Sequence, residues 1–392
     1  MEKQLKPFNV FIIDQNVLMR RILSNILLNE DWVTVSCSVG AVTYKELASR
    51  IDSYQPDLLF LGVDSLDSDE MNLFYQLRDT RPDLHIVLLT QLNEMGAKVA
   101  LKGLKYGAVD YVTKPENSFG MLFADRHFHK RVIPILNAVS ELSRKDRSGR
   151  SGKRGDRVVS KEFFPNVGQM TPDSIEIIIF GGCLGGVSSL YKIIPSLPGW
   201  LQVPVVVVQH MPGVYTRELA SDLDRLSHLK VKEAADKCSL IPGTVYIARG
   251  AFHSVVKKEG GRKQLVLHKG PKEHKCRPSI DVLFRSAVQV YGGNVLGILL
   301  SGMGSDGVLG ALTVLENGGI IWLESLKSAL VSDLAKKVKI LNSEIKEIDA
   351  SGMSLEIVNL MNRVSLRKIT DFQNSRFTIT RKSGQAAGPG AF

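Results

Sequence analysis

Over the first 125 positions, short and almost wholly apolar runs alternate with longer stretches whose apolar residues recur at helical spacing. FNVFIID (8–14) reads as a strand. Val17–Leu28 has the spacing of a helix with one buried face. DLLFLGV (57–63), HIVLLT (85–90) and the YV pair before Lys114 read as further strands. Strands alternating with helices predict a parallel sheet covered on both faces. Such a sheet puts function in loops at the carboxyl ends of its strands. Those loops hold Asp14 and Gln15, Gly62 to Asp64, Thr90 and Gln91, and Lys114 and Pro115.

A second alternation begins near Thr171. IEIIIF (175–180), VVVV (205–208) and VLGILL (295–300) are the near-continuous apolar runs of strands buried on both faces. The first is followed by Gly181-Gly182-Cys183-Leu184-Gly185-Gly186 and then a helix through Leu190 to Ile194. The second ends in Gln209-His210-Met211-Pro212. The third ends in Ser301-Gly302-Met303-Gly304-Ser305-Asp306-Gly307.

The chain length of 392 residues accommodates two domains, and the 44% hydrophobic and 23% charged composition is that of an ordinary soluble protein. No apolar run reaches bilayer length, and the first residues lack a signal-peptide layout, so a cytoplasmic protein without membrane insertion is expected. Cys37, Cys183, Cys238 and Cys276 form no C-x-x-C pair, which argues against a disulfide framework or a zinc site. No cofactor and no metal are expected. Much of the net charge of +10 is local: Arg144–Arg157 alone carries seven basic residues and two aspartates. Basic Gly/Ser-rich segments are solvated linkers more often than nucleic-acid surfaces, so no nucleic-acid partner is expected. The expected division is a front domain over 6–125, a linker over 126–170, a second domain over 171–365 and a disordered basic tail over 366–392.

GGCLGG has three readings. A nucleotide loop needs G-x-G-x-x-G or a Walker lysine, and neither is present. Structural glycines beside a core cysteine are the plainest reading. The third is a sharp strand-to-helix turn that exposes a nucleophile at a helix N-terminus, where an anion is favoured. Alone, His210 would be a structural hydrogen-bonding residue and Asp306 a helix N-cap. Three such turns on one sheet edge, bearing nucleophile, base and acid, make the third reading stronger.

The front segment resembles a response-regulator receiver domain, on GAVDYVTKP (107–115) with Thr90 after a strand. The resemblance implies a doubly wound (βα)5 fold. It matches Thr90 and Lys114 to the phosphoryl-contacting positions, Tyr111 to the aromatic switch and Asp14 to one of an acidic pair. The pocket is degenerate: Gln15 replaces the second acid and Gly62 replaces the phosphoacceptor aspartate. Asp64, two residues on, would lie about 7 Å further along an extended chain. The expectation is a pseudo-receiver kept for docking.

The back segment resembles the catalytic domain of chemotaxis protein-glutamate methylesterases, on QHMP (209–212), VYIARG (245–250), RPSIDVLFRSA (277–287) and SGMGSDG (301–307). That implies a three-layer α/β/α hydrolase with a mainly parallel sheet. It implies hydrolysis of γ-glutamyl methyl esters, and deamidation of glutamine, on chemoreceptor cytoplasmic helices. The implied triad is Cys183, His210 and Asp306, with backbone oxyanion donors at Met303 and Leu184. Implied partners are methylated chemoreceptor cytoplasmic domains and, through the front domain, a chemotaxis histidine kinase or other signalling proteins. This chain departs from the family with Cys183 for serine, Leu184 for threonine, Arg249 for proline, and Trp322 to Leu326 for an acidic and polar run bordering the cleft. A thiol can replace the hydroxyl, because a helix N-terminus or an imidazolium lowers its pKa. Sulfur is larger, however, and such sites are sensitive to shifts of about 1 Å. The sequence leaves open an active thiol hydrolase and an inactive homologue that binds receptors as a regulatory module.

Overall fold

The computed structural model describes residues 7–115, 124–148 and 174–364. The front half runs β1 (Phe8–Ile13), α1 (Val17–Leu28), β2 (Val33–Val39), α2 (Tyr44–Tyr54), β3 (Leu58–Gly62), α3 (Asp69–Thr80), β4 (His85–Thr90), α4 (Glu94–Lys105), β5 (Asp110–Thr113) and α5 (Ala124–Ser148). The strand order is β2-β1-β3-β4-β5, all parallel. Polar residues start the helices where their first N–H groups need acceptors: Asn16 caps α1, and Thr43 with Glu46 forms a reciprocal box on α2.

α5 crosses the expected boundary at 125/126, so the start of the expected linker is helix. Phe128, Val132, Ile135, Leu136 and Val139 recur along one face of α5 and pack with Val10, Met19 and Leu23. The rest of the basic stretch beyond Ser148, and the tail from 365, lie outside the described residues.

The back half runs β6 (Ile177–Gly182), α6 (Gly186–Ile193), β7 (Val205–Gln209), α7 (Gly213–Leu226), β8 (Lys230–Glu233), β9 (Cys238–Ser239), β10 (Thr244–Ile247), β11 (His253–Glu259), β12 (Arg262–His268), α8 (Ile280–Tyr291), β13 (Val295–Leu299), α9 (Val308–Glu316), β14 (Ile320–Glu324), α10 (Asp333–Leu341), β15 (Lys346–Ile348) and a helix α11 over 350–364. Seven strands form a parallel sheet in the order β15-β14-β13-β6-β7-β10-β8. β11, β12 and β9 make a separate antiparallel sheet. The strand order reverses between β6 and β13, which opens a crevice at their carboxyl ends. The three marked turns follow β13, β6 and β7, which are neighbours in the sheet.

Trp322 to Glu324 are buried in β14, and only Leu326 of that run is well exposed. Of the run that the resemblance placed along the cleft border, the described structure thus leaves only Leu326 on the surface. An apolar segment that forms a central strand goes to the core.

The two halves share their cores. Tyr111 of β5 stacks on Tyr215 of α7, with ring centroids 4.7 Å apart and planes at 11°. Leu184, from the glycine-rich turn, is buried in the same apolar cluster as α1 and α5, with Cys183 and Met303 packed against it.

Candidate active site

Cys183 leaves β6 on a turn that only small residues allow. Gly185 has φ +81, and a Cβ there would meet Leu330 Cβ and Ser301 Oγ at 2.6 Å. A Cβ on Gly182 or Gly186 would come within 2.6 Å of Gln209 Oε1. Gln209 Nε2 donates to the Cys183 carbonyl at 2.6 Å, and Cys183 N donates to Ser301 O at 3.1 Å. His210 N donates to Gly182 O at 3.1 Å. Backbone bonds thus tie the three turns together.

Asp306 is 3% exposed and accepts from four donors: His210 Nε2 at 2.8 Å, Ser279 Oγ at 2.6 Å, Ile280 N at 2.8 Å and Asp281 N at 3.2 Å. It therefore caps the N-terminus of α8 as well as orienting the imidazole. Burial alone would raise the Asp306 pKa. The His210 bond and charge, with the Ser279 and Ile280 donors, bring it below the ordinary carboxylate value.

The Asp306 contact uses Nε2–H, so Nδ1 of a neutral His210 keeps its lone pair for the thiols. Burial opposes the imidazolium, but hydrogen bonds to Asp306, Cys183 and Cys276 hold the His210 pKa well above its usual value. Burial also opposes the Cys183 thiolate. The His210 hydrogen bond and charge, the Arg131 charge and the Met303 N–H outweigh it and lower the Cys183 pKa. These shifts favour a thiolate–imidazolium pair.

The Met303 N–H is among the groups that lower the Cys183 pKa, and an oxyanion donor beside the nucleophile would do the same. Leu184 contributes its carbonyl, which accepts from Ser301 Oγ at 2.7 Å, and a buried side chain.

Several residues near the site were not singled out from the sequence. Cys276 Sγ lies 3.7 Å from His210 Nδ1. Ser279 orients Asp306, and the buried Glu324 carboxylate accepts from Ser301 N at 2.8 Å and from Ser189 Oγ. Arg131 of α5 pairs with Asp110 at 3.2 Å and stands over the Tyr111 ring. A cavity of about 400 Å³ opens between the halves, with Arg131, Tyr111, His210, Cys276 and Arg277 in its wall. Ser279 lies within a recognisable motif (277–287) and Cys276 just before it, but Arg131 reaches the site only through packing of the halves.

Of the receiver-type positions, Asp14, Gly62, Thr90 and Lys114 are buried and Gln15 is exposed, and each is differently employed. Lys114 Nζ contacts Asp14 Oδ2 at 2.9 Å and Asp64 Oδ1 at 2.9 Å. Asp64 therefore folds back to this pocket, where it also accepts from Gln91 Nε2 at 3.1 Å. A Cβ on Gly62 would meet Asp14 Oδ2 at 2.2 Å, so the Asp14 carboxylate fills the space where a side chain at 62 would begin. Gln15 turns away and donates to Glu70. Thr90 Oγ1 lies 3.0 Å from the hydroxyl of Tyr215.

The CheB methylesterase family model matches residues 178–356, and the response regulator receiver domain model matches residues 10–122. The chain is similar to a protein-glutamate methylesterase/protein-glutamine glutaminase of Trichodesmium erythraeum, 32% identical over 83% of this chain and 91% of the relative. It is also similar to the Escherichia coli K12 protein of the same name, 28% identical over 90% of this chain and 97% of that one. Among solved structures, the Thermotoga maritima CheB methylesterase catalytic domain is 36% identical, covers 48% of this chain and 99% of its own, and has a TM-score of 0.47. Among the described residues, no helix is long and apolar enough to cross a membrane.

Proposed function

The chain belongs to the protein-glutamate methylesterase family of chemotaxis hydrolases, and from that premise we propose that Cys183, His210 and Asp306 hydrolyse γ-glutamyl methyl esters on chemoreceptor cytoplasmic helices. Deamidation of glutamine, part of the relatives' name, is the matching second reaction. The observation that carries the reading is one imidazole held by the buried Asp306 carboxylate at 2.8 Å on Nε2, on the same sheet edge as Cys183, whose thiol pKa its hydrogen bond and charge lower.

Cys183 Sγ attacks the γ-carbonyl carbon, and Met303 N–H steadies the oxyanion. The tetrahedral species collapses with cleavage of the bond to the methoxy oxygen. His210 gives its Nδ1 proton to that oxygen, and methanol leaves. Water then attacks the thioester, losing its proton to His210, and glutamate and the thiol are restored. Asp306 keeps Nε2 protonated and the ring aligned throughout.

The receiver-like half acts by docking instead of by phosphorylation. Its Lys114 is occupied by two carboxylates, and position 62 has no side chain to modify. We place the protein in the cytoplasm, with methylated receptor domains as substrates and chemotaxis signalling proteins as partners of this half.

Incubation with a methylated receptor fragment tests the reading by mass spectrometry. The fragment should lose one methylene mass per ester, and His210→Ala should leave it unchanged. An unchanged fragment with folded wild-type protein bound to it would refute hydrolysis and favour a receptor-binding module.

A further inference from the structure

The loop between β12 and α8 is held in a shape that its residue types do not favour. His274 and Lys275 both adopt left-handed backbone, with φ +48 and +65. Residues other than glycine keep that conformation where surrounding contacts enforce it. Three anchors do so. Arg285 Nη2 on α8 donates to both Glu273 carboxylate oxygens, at 2.7 and 2.8 Å. His274 Nε2 lies 3.1 Å from the buried Asp281 carboxylate. Arg277 Nη1 donates to the carbonyls of Lys269 and Gly270 at 3.0 and 2.9 Å. The anchored loop brings Lys272, Lys275 and Arg277 into the wall of the cavity between the halves, where Arg131 of α5 supplies a fourth cation.

Among the described residues, that wall contains no carboxylate. Arg131 pairs with Asp110 at 3.2 Å, but the other three cations have no such partner. The ammonium groups of Lys272 and Lys275 make neither an ion pair nor a hydrogen bond with any described residue. Arg277 donates to neutral carbonyls, and its Nε is buried without a hydrogen-bond partner. A sphere of about 400 Å³ is about 9 Å across, close to the screening length at physiological salt, so each of these charges is felt at its centre. The field in the cavity is therefore positive and favours an anion. Leu92, Met211 and Pro278 add apolar surface to the same wall. Cations beside apolar surface suit a carboxylate on an aliphatic stem better than a bare inorganic anion. His210 is in the wall as well, so a carboxylate held there lies beside the ester under attack.

We propose that this cavity is a specificity subsite for an acidic side chain of the substrate, in which Lys272, Lys275 and Arg277 receive an unesterified carboxylate near the methyl ester being cleaved. The subsite rests on the hydrolase reading above and deepens it: it selects among ester-bearing segments by the charge beside the ester. Arg131 places part of the subsite in the receiver-like half, so that half takes part in recognising substrate. Anchoring the loop in advance removes an ordering cost that binding would otherwise carry.

The test uses full-length protein and two synthetic helical peptides, each with one glutamyl γ-methyl ester flanked by glutamates in one and by alanines in the other. Both flanking residues are good helix formers, so the peptides differ chiefly in charge. Wild type should show the higher kcat/KM for methanol release from the glutamate-flanked peptide. The double variant Lys272→Ala, Lys275→Ala should shrink that preference about 2–30-fold, the range for two exposed ion pairs. High salt should narrow it as well. Lys258→Ala, on β11 outside the wall, should keep the wild-type preference, and thermal melts confirm that the variants fold. Equal kcat/KM for the two peptides in wild type, or an unchanged preference in the folded double variant, would overturn the subsite. The same peptides with norleucine in place of the ester separate binding from turnover by fluorescence anisotropy. Tighter binding of the acidic one, lost in the double variant, without any methanol release would leave the subsite standing and refute the function proposed above. Calorimetric binding of inorganic phosphate with equal affinity for the two peptides would assign the cations to a free anion and overturn the substrate role.

Discussion

The hydroxyl of Tyr215 donates to the Gln91 carbonyl at 2.8 Å and takes the Thr90 hydroxyl at 3.0 Å, so one side chain of the catalytic half occupies the receiver-like half's threonine. Its ring also stacks on Tyr111, so both positions that a receiver uses for switching are committed to the interface.

Tyr215→Phe should therefore cost about 1–3 kcal/mol, because Thr90 and the Gln91 carbonyl lose a buried partner. Tyr215→Ala should cost about 3–5 kcal/mol through the added cavity. Urea unfolding measures both. The Ala variant should also speed iodoacetamide alkylation of Cys183, whose turn packs against the other half. Equal alkylation rates would show that the interface does not cover the nucleophile.

Lys114→Met should destabilise the front half by about 3–5 kcal/mol, since Asp14 would be a buried charge without a counter-ion. Wild-type protein treated with acetyl phosphate and Mg²⁺ should gain no phosphoryl mass. A gain located at Asp64 would contradict the docking role, because that residue would then be a working acceptor.

The pKa shifts give two pH predictions. Alkylation of Cys183 should titrate below the ordinary cysteine value of about 8.5, with an upward shift in Arg131→Gln. For stability the signs differ by group. The His210 pKa is raised on folding, so its contribution is complete below about 6.5 and is lost as pH rises through the folded value. The Asp306 pKa is lowered, so its contribution is present above about 3.9 and is lost as pH falls through the folded value. Removing Cys183 takes away one group that holds His210 protonated, so the alkaline loss should move to lower pH. Urea midpoints across pH check this.

Much of this site was legible because its chemistry sits on strand ends. The α1 boundaries follow from apolar spacing after Asn16, and the β6, β7 and β13 runs follow from apolar continuity. Glycines marked the turns, and the motifs named Cys183, His210 and Asp306. What the sequence hid was contact across long separations. Arg131 reaches the cavity because α5 packs over β1 and α1. Cys276 reaches His210 because two left-handed residues turn its loop, and that conformation has no signature in His-Lys. Asp64 was read along an extended strand, but the chain bends after Gly62 and returns it to Lys114. The Trp322 to Leu326 run was read as bordering the cleft, although an apolar run after a glycine-rich turn is also how a buried strand begins.

Asp306→Asn should reduce ester hydrolysis by about 10³–10⁴-fold while largely preserving the fold, because an amide can accept from the α8 N–H groups but leaves the imidazole in the wrong tautomer. Circular dichroism and initial rates separate the two effects. A comparable loss of helix content would mean that the residue matters chiefly as a cap.

The most direct test of the account is the initial rate of methanol release from a methylated receptor fragment by wild type, Cys183→Ala and Cys183→Ser. The account predicts turnover in wild type, none in Cys183→Ala, and a thioester adduct on Cys183 in acid-quenched wild type. No methanol from wild type, or equal rates in wild type and Cys183→Ala, would contradict it.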